Sequence, residues 1–186
     1  MSTDVVLVPS TLALLPEYAG ARDPIPDLRS ACQDAVAWLV SRHASSVRVV
    51  AAPLRAEEVA RGVTSPAGER IARHLLVAAG FDGRVDDAGD GVLVVANGTA
   101  KRTERAPGHL DDRARRFDAV IEEALRSGDA AALRGLDAEP AEELWARDWA
   151  ALRVLGELLP GCPMELDYSD DPYGVQYWVG RATCGS

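Results

Sequence analysis

Gly91-Val92-Leu93-Val94-Val95-Ala96-Asn97-Gly98-Thr99-Ala100 opens the stretch whose reading decides the fold, and that stretch runs on to Gly128. The apolar run Val92 to Ala96 reads as a strand buried on both faces. Asn97-Gly98-Thr99-Ala100 breaks it. A charged loop follows, Lys101-Arg102-Thr103-Glu104-Arg105-Ala106-Pro107-Gly108, and then a helix expected from about His109 to Ser127. Leu110, Ala114, Phe117, Ile121 and Leu125 recur on one side of that helix. Asp111 and Asp112 in its first turn and Arg126 in its last suit the helix dipole, and Gly128 ends it. A buried strand leading through a small-polar turn and a basic loop into a helix is where open α/β sheets place a ligand.

The rest of the chain repeats this alternation. Asp4 to Val8 and Val47 to Ala52 are two further apolar runs of strand length. Between them, Asp27 stands as N-cap of a helix to about Arg42, with Leu28, Cys32, Val36 and Leu39 on one face. Pro53 to Val63 reads as a loop or short helical turn. Ser65-Pro66 signals a second helix through Ile71, Leu75 and Ala79 to Gly80, with serine as cap and proline at the first helical position. Phe81 to Gly91 is a turn-rich acidic connection. After Gly128 come a short helix within Asp129 to Leu136 and a long one opening at Pro140. The long helix carries Trp145, Trp149, Leu152 and Leu155 inside and ends at Pro160-Gly161. Pro163 to Tyr168 and Val175 to Gly180 flank the turn Ser169-Asp170-Asp171-Pro172-Tyr173-Gly174 and read as paired strands. The order βαβαβαααββ gives an α/β fold as a single domain over residues 1–186. Its central sheet is mostly parallel, and its C-terminal strand pair is antiparallel.

With 186 residues and 47% hydrophobic content, the chain can build a full core. A formal charge of −9 argues against nucleic acid and anionic membranes as partners. No apolar run approaches the roughly 18 residues that span a bilayer. Met1-Ser2-Thr3-Asp4 lacks a basic leader, so a cytoplasmic setting is expected. Cys32, Cys162 and Cys184 are odd in number and share no Cys-x-x-Cys spacing, which argues against a disulfide framework or structural zinc. Cys32 reads as a core thiol.

The sequence contains no P-loop, dinucleotide fingerprint, nucleophile elbow or His-Glu-x-x-His motif. His43, His74 and His109 fall on three separate elements. Lys101, the single lysine, stands just past the Gly98 turn, and with Arg102 and Arg105 it forms the one basic loop. Asp170 and Asp171, beside Asp167, and separately Glu143, are the carboxylates that would suit a hard cation. A solvated turn in an acidic protein is the simpler account of the aspartates.

Several segments together resemble the class III extradiol ring-cleavage dioxygenase, subunit-B-like superfamily, in its small bacterial branch. They are Val8-Pro9-Ser10, Leu14-Leu15-Pro16-Glu17, Asn97-Gly98-Thr99-Ala100, Ala106-Pro107-Gly108-His109-Leu110-Asp111-Asp112-Arg113 and Asp171-Pro172-Tyr173-Gly174-Val175-Gln176-Tyr177. The resemblance implies a three-layer α/β/α fold with its site at one end of the sheet. It also implies non-haem iron(II) held by histidines and a carboxylate, with a catalytic histidine in the turn after the third long strand. This sequence departs from that pattern. Ser10 stands where the first histidine ligand would be, Ala51-Ala52-Pro53-Leu54 offers no second, and Ala100 stands at the catalytic position; Glu143 is a remnant of the carboxylate at most. Serine and alanine cannot replace imidazole. The expectation is therefore a protein without ring-cleavage chemistry and with no cofactor. Its crevice would bind a small molecule or a protein partner through Ser10, Asn97, Thr99, Lys101, Arg102 and His109. An enzyme of another kind with a metal on Glu143, Asp170 or Asp171, a subunit completed by a catalytic partner, and a homo-oligomer stay open.

Overall fold

The computed structural model describes residues 2–18, 20, 23–89 and 91–185. Among these residues, six strands form one sheet: β1 (Ser2–Val8), β2 (Ser46–Ala51), β3 (Arg84–Val85), β4 (Gly91–Val95), β5 (Glu165–Asp170) and β6 (Tyr177–Gly185), in the order β3-β2-β4-β1-β6-β5. The four strands β3, β2, β4 and β1 run parallel. Next to them β6 lies antiparallel to β1, and β5 antiparallel to β6.

Central β1 and β4 explain the unbroken apolar runs, because each has a packed layer on both faces. Val6, Val8, Leu93 and Val95 pack with Leu28, Cys32, Val36 and Leu39 of α1 (Pro26–Arg42). Ile71 and Leu75 of the helix Ala67–Ala78 complete that layer. Their neighbours Val5, Leu7, Val92 and Val94 turn to the other face, as the two-residue period of a strand requires. There they meet Ile121 and Leu125 of the helix Arg113–Ser127, Leu133 of Ala130–Arg134, and Leu152 and Leu155 of Trp149–Leu158. With two shorter helices, Ala56–Ala60 and Ala138–Glu143, the helices are α1 to α7 in chain order: α2 is Ala56–Ala60, α3 Ala67–Ala78, α4 Arg113–Ser127, α5 Ala130–Arg134, α6 Ala138–Glu143 and α7 Trp149–Leu158. The molecule is a three-layer α/β/α sandwich.

Several local expectations change. The long helix from Pro140 is two helices, α6 and α7, broken at Leu144 to Asp148, where Trp145 takes a left-handed conformation with φ 59°. Tertiary bonds outweigh helix propensity here. The Leu144 carbonyl accepts from Ala100 N at 3.2 Å, and the Asp148 carboxylate accepts from Asn97 N at 3.0 Å. α4 starts at Arg113 rather than His109, because His109 is itself left-handed (φ 62°) and Asp111 Oδ1 accepts from Arg113 N. Ser65 does not cap α3; its N-cap is Pro66, with no side-chain bond. β3, two exposed residues, is too short to show a pattern.

Cys162 and Cys184 form a disulfide with their Cα atoms 5.7 Å apart, which corrects the reading from cysteine spacing. The partners are 22 residues apart in sequence, one in the loop after α7 and the other near the end of β6, so no local motif announces the bond. Cys32 is free and buried, and burial pushes its thiol up to about 12.

Candidate functional site

β1 connects through α1 to β2 on one side of the sheet, whereas β4 connects through α4 to α7 toward β5 on the other. These two adjacent strands therefore send their connections in opposite directions, and a crevice opens beyond their C-terminal ends. Ser10 follows β1 and Asn97 follows β4, so both stand at that point.

A third residue joins them. Asp148, N-cap of α7, accepts from Ser10 Oγ at 2.5 Å and from Asn97 N at 3.0 Å, both on Oδ2. The Asn97 side chain closes the triangle, its Oδ1 accepting from Ser10 N at 2.8 Å. Asp148 Oδ1 has no hydrogen-bond partner among the described residues. Burial pushes the Asp148 carboxyl above its ordinary value, opposed by the Ser10 and Asn97 bonds and by the charge of Arg55.

These residues border a cavity of about 450 Å³, within the size range of small-molecule sites. Its wall continues through Arg55 and Glu58 beside α2, the start of α3 at Pro66 to Gly68, and Ala100, Trp145, Arg147 and Tyr177. The Arg147 guanidinium lies 4.6 Å from the Trp145 ring centroid, a cation–π contact. Arg55 is held by a two-pronged pair with Glu142 at 2.8 and 2.9 Å. Glu58 caps α2 by accepting from Arg55 N at 2.8 Å. Burial pushes the Tyr177 phenol up.

Strain gathers at the same edge of the sheet. His109, Trp145 and Tyr173 are the non-glycine residues with positive φ among those described, and each lies in a connection at this end. Such conformations cost of order 1–3 kcal/mol each and persist where surrounding structure enforces them, commonly at sites.

The residues expected from sequence divide. Ser10 and Asn97 border the cavity. Thr99 does not; it is wholly buried, its N and Oγ1 donating to Asp118 at 2.9 and 2.7 Å. Arg102 is turned into the same buried network. It reaches Asp118 at 3.2 Å, donates to Gln176 Oε1, and places Nε 2.8 Å from Asp171 Oδ2 without hydrogen-bond alignment. Gly98 is required beneath this turn, since a Cβ there would fall 2.5 Å from Asp118 Oδ1. Lys101 does not border the cavity, and its ammonium lies 6.0 Å from the Trp145 ring. His109 points outward, with Nδ1 2.9 Å from Glu104 O and the side chain largely exposed.

The carboxylates considered for a metal are each matched to another group. Glu143 pairs with Arg113 at 2.7 Å, Asp171 with Arg102 and Arg115, and Asp170 accepts from Asp171 N. No group of three His, Cys, Asp or Glu suited to a metal occurs among the described residues. The donor set at the crevice does not fit non-haem iron either. Ser10 and Ala100 face the cavity where the resemblance would place imidazoles, while His43 lies against Asp4 at the opposite end of β1.

Asp148, Trp145 and Arg147 are hidden in the sequence, because the apolar spacing from Pro140 reads as one uninterrupted helix through them. The available signal was Asp148 itself, an N-cap residue just before the apolar series Trp149, Leu152 and Leu155. The sequence matches no protein-family model and no curated protein. Among the described residues, no helix is long and apolar enough to cross a membrane.

Proposed function

We propose that this chain binds a small polar organic molecule in the crevice beyond β1 and β4, and that it does not cleave aromatic rings. The observation that carries this reading is the convergence of Ser10, Asn97 and Asp148, from three separate connections, on one cavity at the point where the sheet's connections diverge. Asp148 offers an acceptor, Arg147 a cation, and Trp145 a flat apolar surface. The resemblance to extradiol dioxygenases supports the location of the site, and its departures at Ser10 and Ala100 remove the iron chemistry.

The test is a fragment screen by two-dimensional NMR on the full chain, with catechols included. Binders are expected to shift the Trp145 indole and Asn97 amide signals. Fragments that bind only outside the cavity, or not at all, would overturn the reading. Catechol-dependent oxygen uptake with added iron(II) would overturn its second half. The Cys162–Cys184 bond persists best in oxidising surroundings, which weighs against the cytoplasmic setting expected from the sequence.

A further inference from the structure

We propose that Asp148 transfers protons to and from the molecule held in the crevice, as a metal-free acid–base centre acting on a small neutral compound with an acidic C–H or O–H. This rests on the ligand-binding reading above. Oδ2 is committed to Ser10 Oγ and Asn97 N, and two bonds from two different loops fix the plane of the carboxyl. Oδ1 makes no bond to the described residues, while Asp148 borders the cavity. That oxygen is left for a bound molecule.

The surroundings suit a base more than an ion pair. Arg55 and Glu58 act on Asp148 from the α2 side with opposite signs. Arg147, on the same loop, has its guanidinium over Trp145. The groups contributed from β1, β4, α3 and β6, namely Ser10, Asn97, the Pro66–Gly68 backbone and Tyr177, are neutral. No cation claims the carboxylate as a salt-bridge partner among the described residues. Burial supports the role, because a carboxyl lifted above its ordinary value is a stronger base than an exposed one.

In the step, Oδ1 takes a proton from carbon or oxygen of the substrate, and the electron pair left behind forms a new π bond. Either an adjacent π bond breaks as the new one forms, its pair moving to the atom that takes the proton back and giving a tautomer, or a leaving group departs with its electron pair and the proton passes to water. Neither route requires an oxidant, reductant or metal.

Nitrobenzisoxazole is a direct probe. A carboxylate that removes its ring C–H proton drives nitrile formation as the N–O bond breaks, releasing a coloured phenolate. The purified chain is expected to give saturable turnover that rises with pH through a single midpoint above the ordinary carboxylate value. Asp148→Asn should lower kcat/KM by about 100-fold or more. Ala100→Phe, which fills the cavity and leaves Asp148 in place, should abolish saturation. Circular dichroism identifies a misfolded Asp148→Asn, in which case Ala100→Phe decides. Wild-type turnover in either folded variant, or no turnover by the wild type, would overturn the proposal. Binding of the unreactive isostere nitroindazole, followed by NMR, separates the two claims. Cavity binding without turnover sinks proton transfer and leaves the binding reading intact; no cavity binding sinks both.

Discussion

Ser10 Oγ donates to Asp148 Oδ2 at 2.5 Å, joining residues 138 positions apart in sequence and fixing the loop after β1 to the first turn of α7. Asn97 N donates to the same oxygen. One carboxylate thus ties together three connections at the end of the sheet, and its own electrostatics should report on the site.

Ser10→Ala removes a bond that favours the charged form of Asp148, so the midpoint of that carboxyl should move further up. The loss should cost about 1–3 kcal/mol, the penalty for leaving a buried acceptor without its donor. Carbon-detected NMR titration and urea unfolding measure the two effects. An unmoved midpoint would contradict the bond.

Asp148→Asn should respond to pH in the opposite sense from most aspartate replacements. The folded midpoint is raised, so the stability Asp148 contributes is present below the ordinary value of 3.8 and is lost as pH rises through the folded midpoint. The amide oxygen of asparagine can still accept from Ser10 and Asn97 and carries no charge. Thermal melts across that window should show the variant gaining on the wild type as pH rises. A gap that shrinks or reverses would contradict the assignment.

Asp4 supplies the contrast at the other end of β1. Burial alone would raise its carboxyl, but bonds from Arg42, Thr183 and His43 outweigh burial and hold it below the ordinary value. Thr183 Oγ1 donates at 2.6 Å, Arg42 Nε at 2.7 Å, and His43 Nε2 lies at 2.8 Å. Its contribution is therefore present above pH 3.8 and lost on acidification through the depressed midpoint. Asp4→Asn should shed that acid sensitivity, read as a flatter stability curve below about pH 4.

How much of this was legible beforehand depends on whether the deciding contacts were local. The apolar runs in β1, β2 and β4 and the helical period of α1, α3 and α4 report burial within a few residues, so the layers and the mostly parallel sheet could be read directly. Ser10 and Asn97 were legible too, because each follows a strand end. Thr99 and Arg102 were expected in the crevice, but they turn inward onto Asp118, a partner on α4 whose burial depends on how that helix docks. The break at Trp145 and the Cys162–Cys184 bond are likewise products of tertiary contacts with no local pattern.

Asp118→Ala should be among the most damaging substitutions outside the cavity. It leaves Arg102 facing Thr99 and Gln176 with its charge partly uncompensated, and breaking a buried pair on one side costs about 3–5 kcal/mol. Urea unfolding should show the loss, with Asp118→Asn milder because it keeps an acceptor for Thr99. A change under about 1 kcal/mol would mean that the network does not hold the loop.

Reduction of the Cys162–Cys184 bond should lower stability by about 3 kcal/mol, the chain-entropy value for a loop of this length. Melting curves with and without reductant, alongside a Cys162→Ser variant, measure it. A variant insensitive to reductant and as stable as the oxidised protein would show that the bond contributes nothing.

The central claim is that the crevice holds a small molecule against Asp148. A crystal of the full chain soaked with a mixture of polar aromatic and carbonyl fragments tests it most directly. The expected result is a fragment in the cavity with a polar atom within hydrogen-bond distance of Asp148 Oδ1. A cavity that stays closed or empty while fragments occupy other surfaces would contradict it.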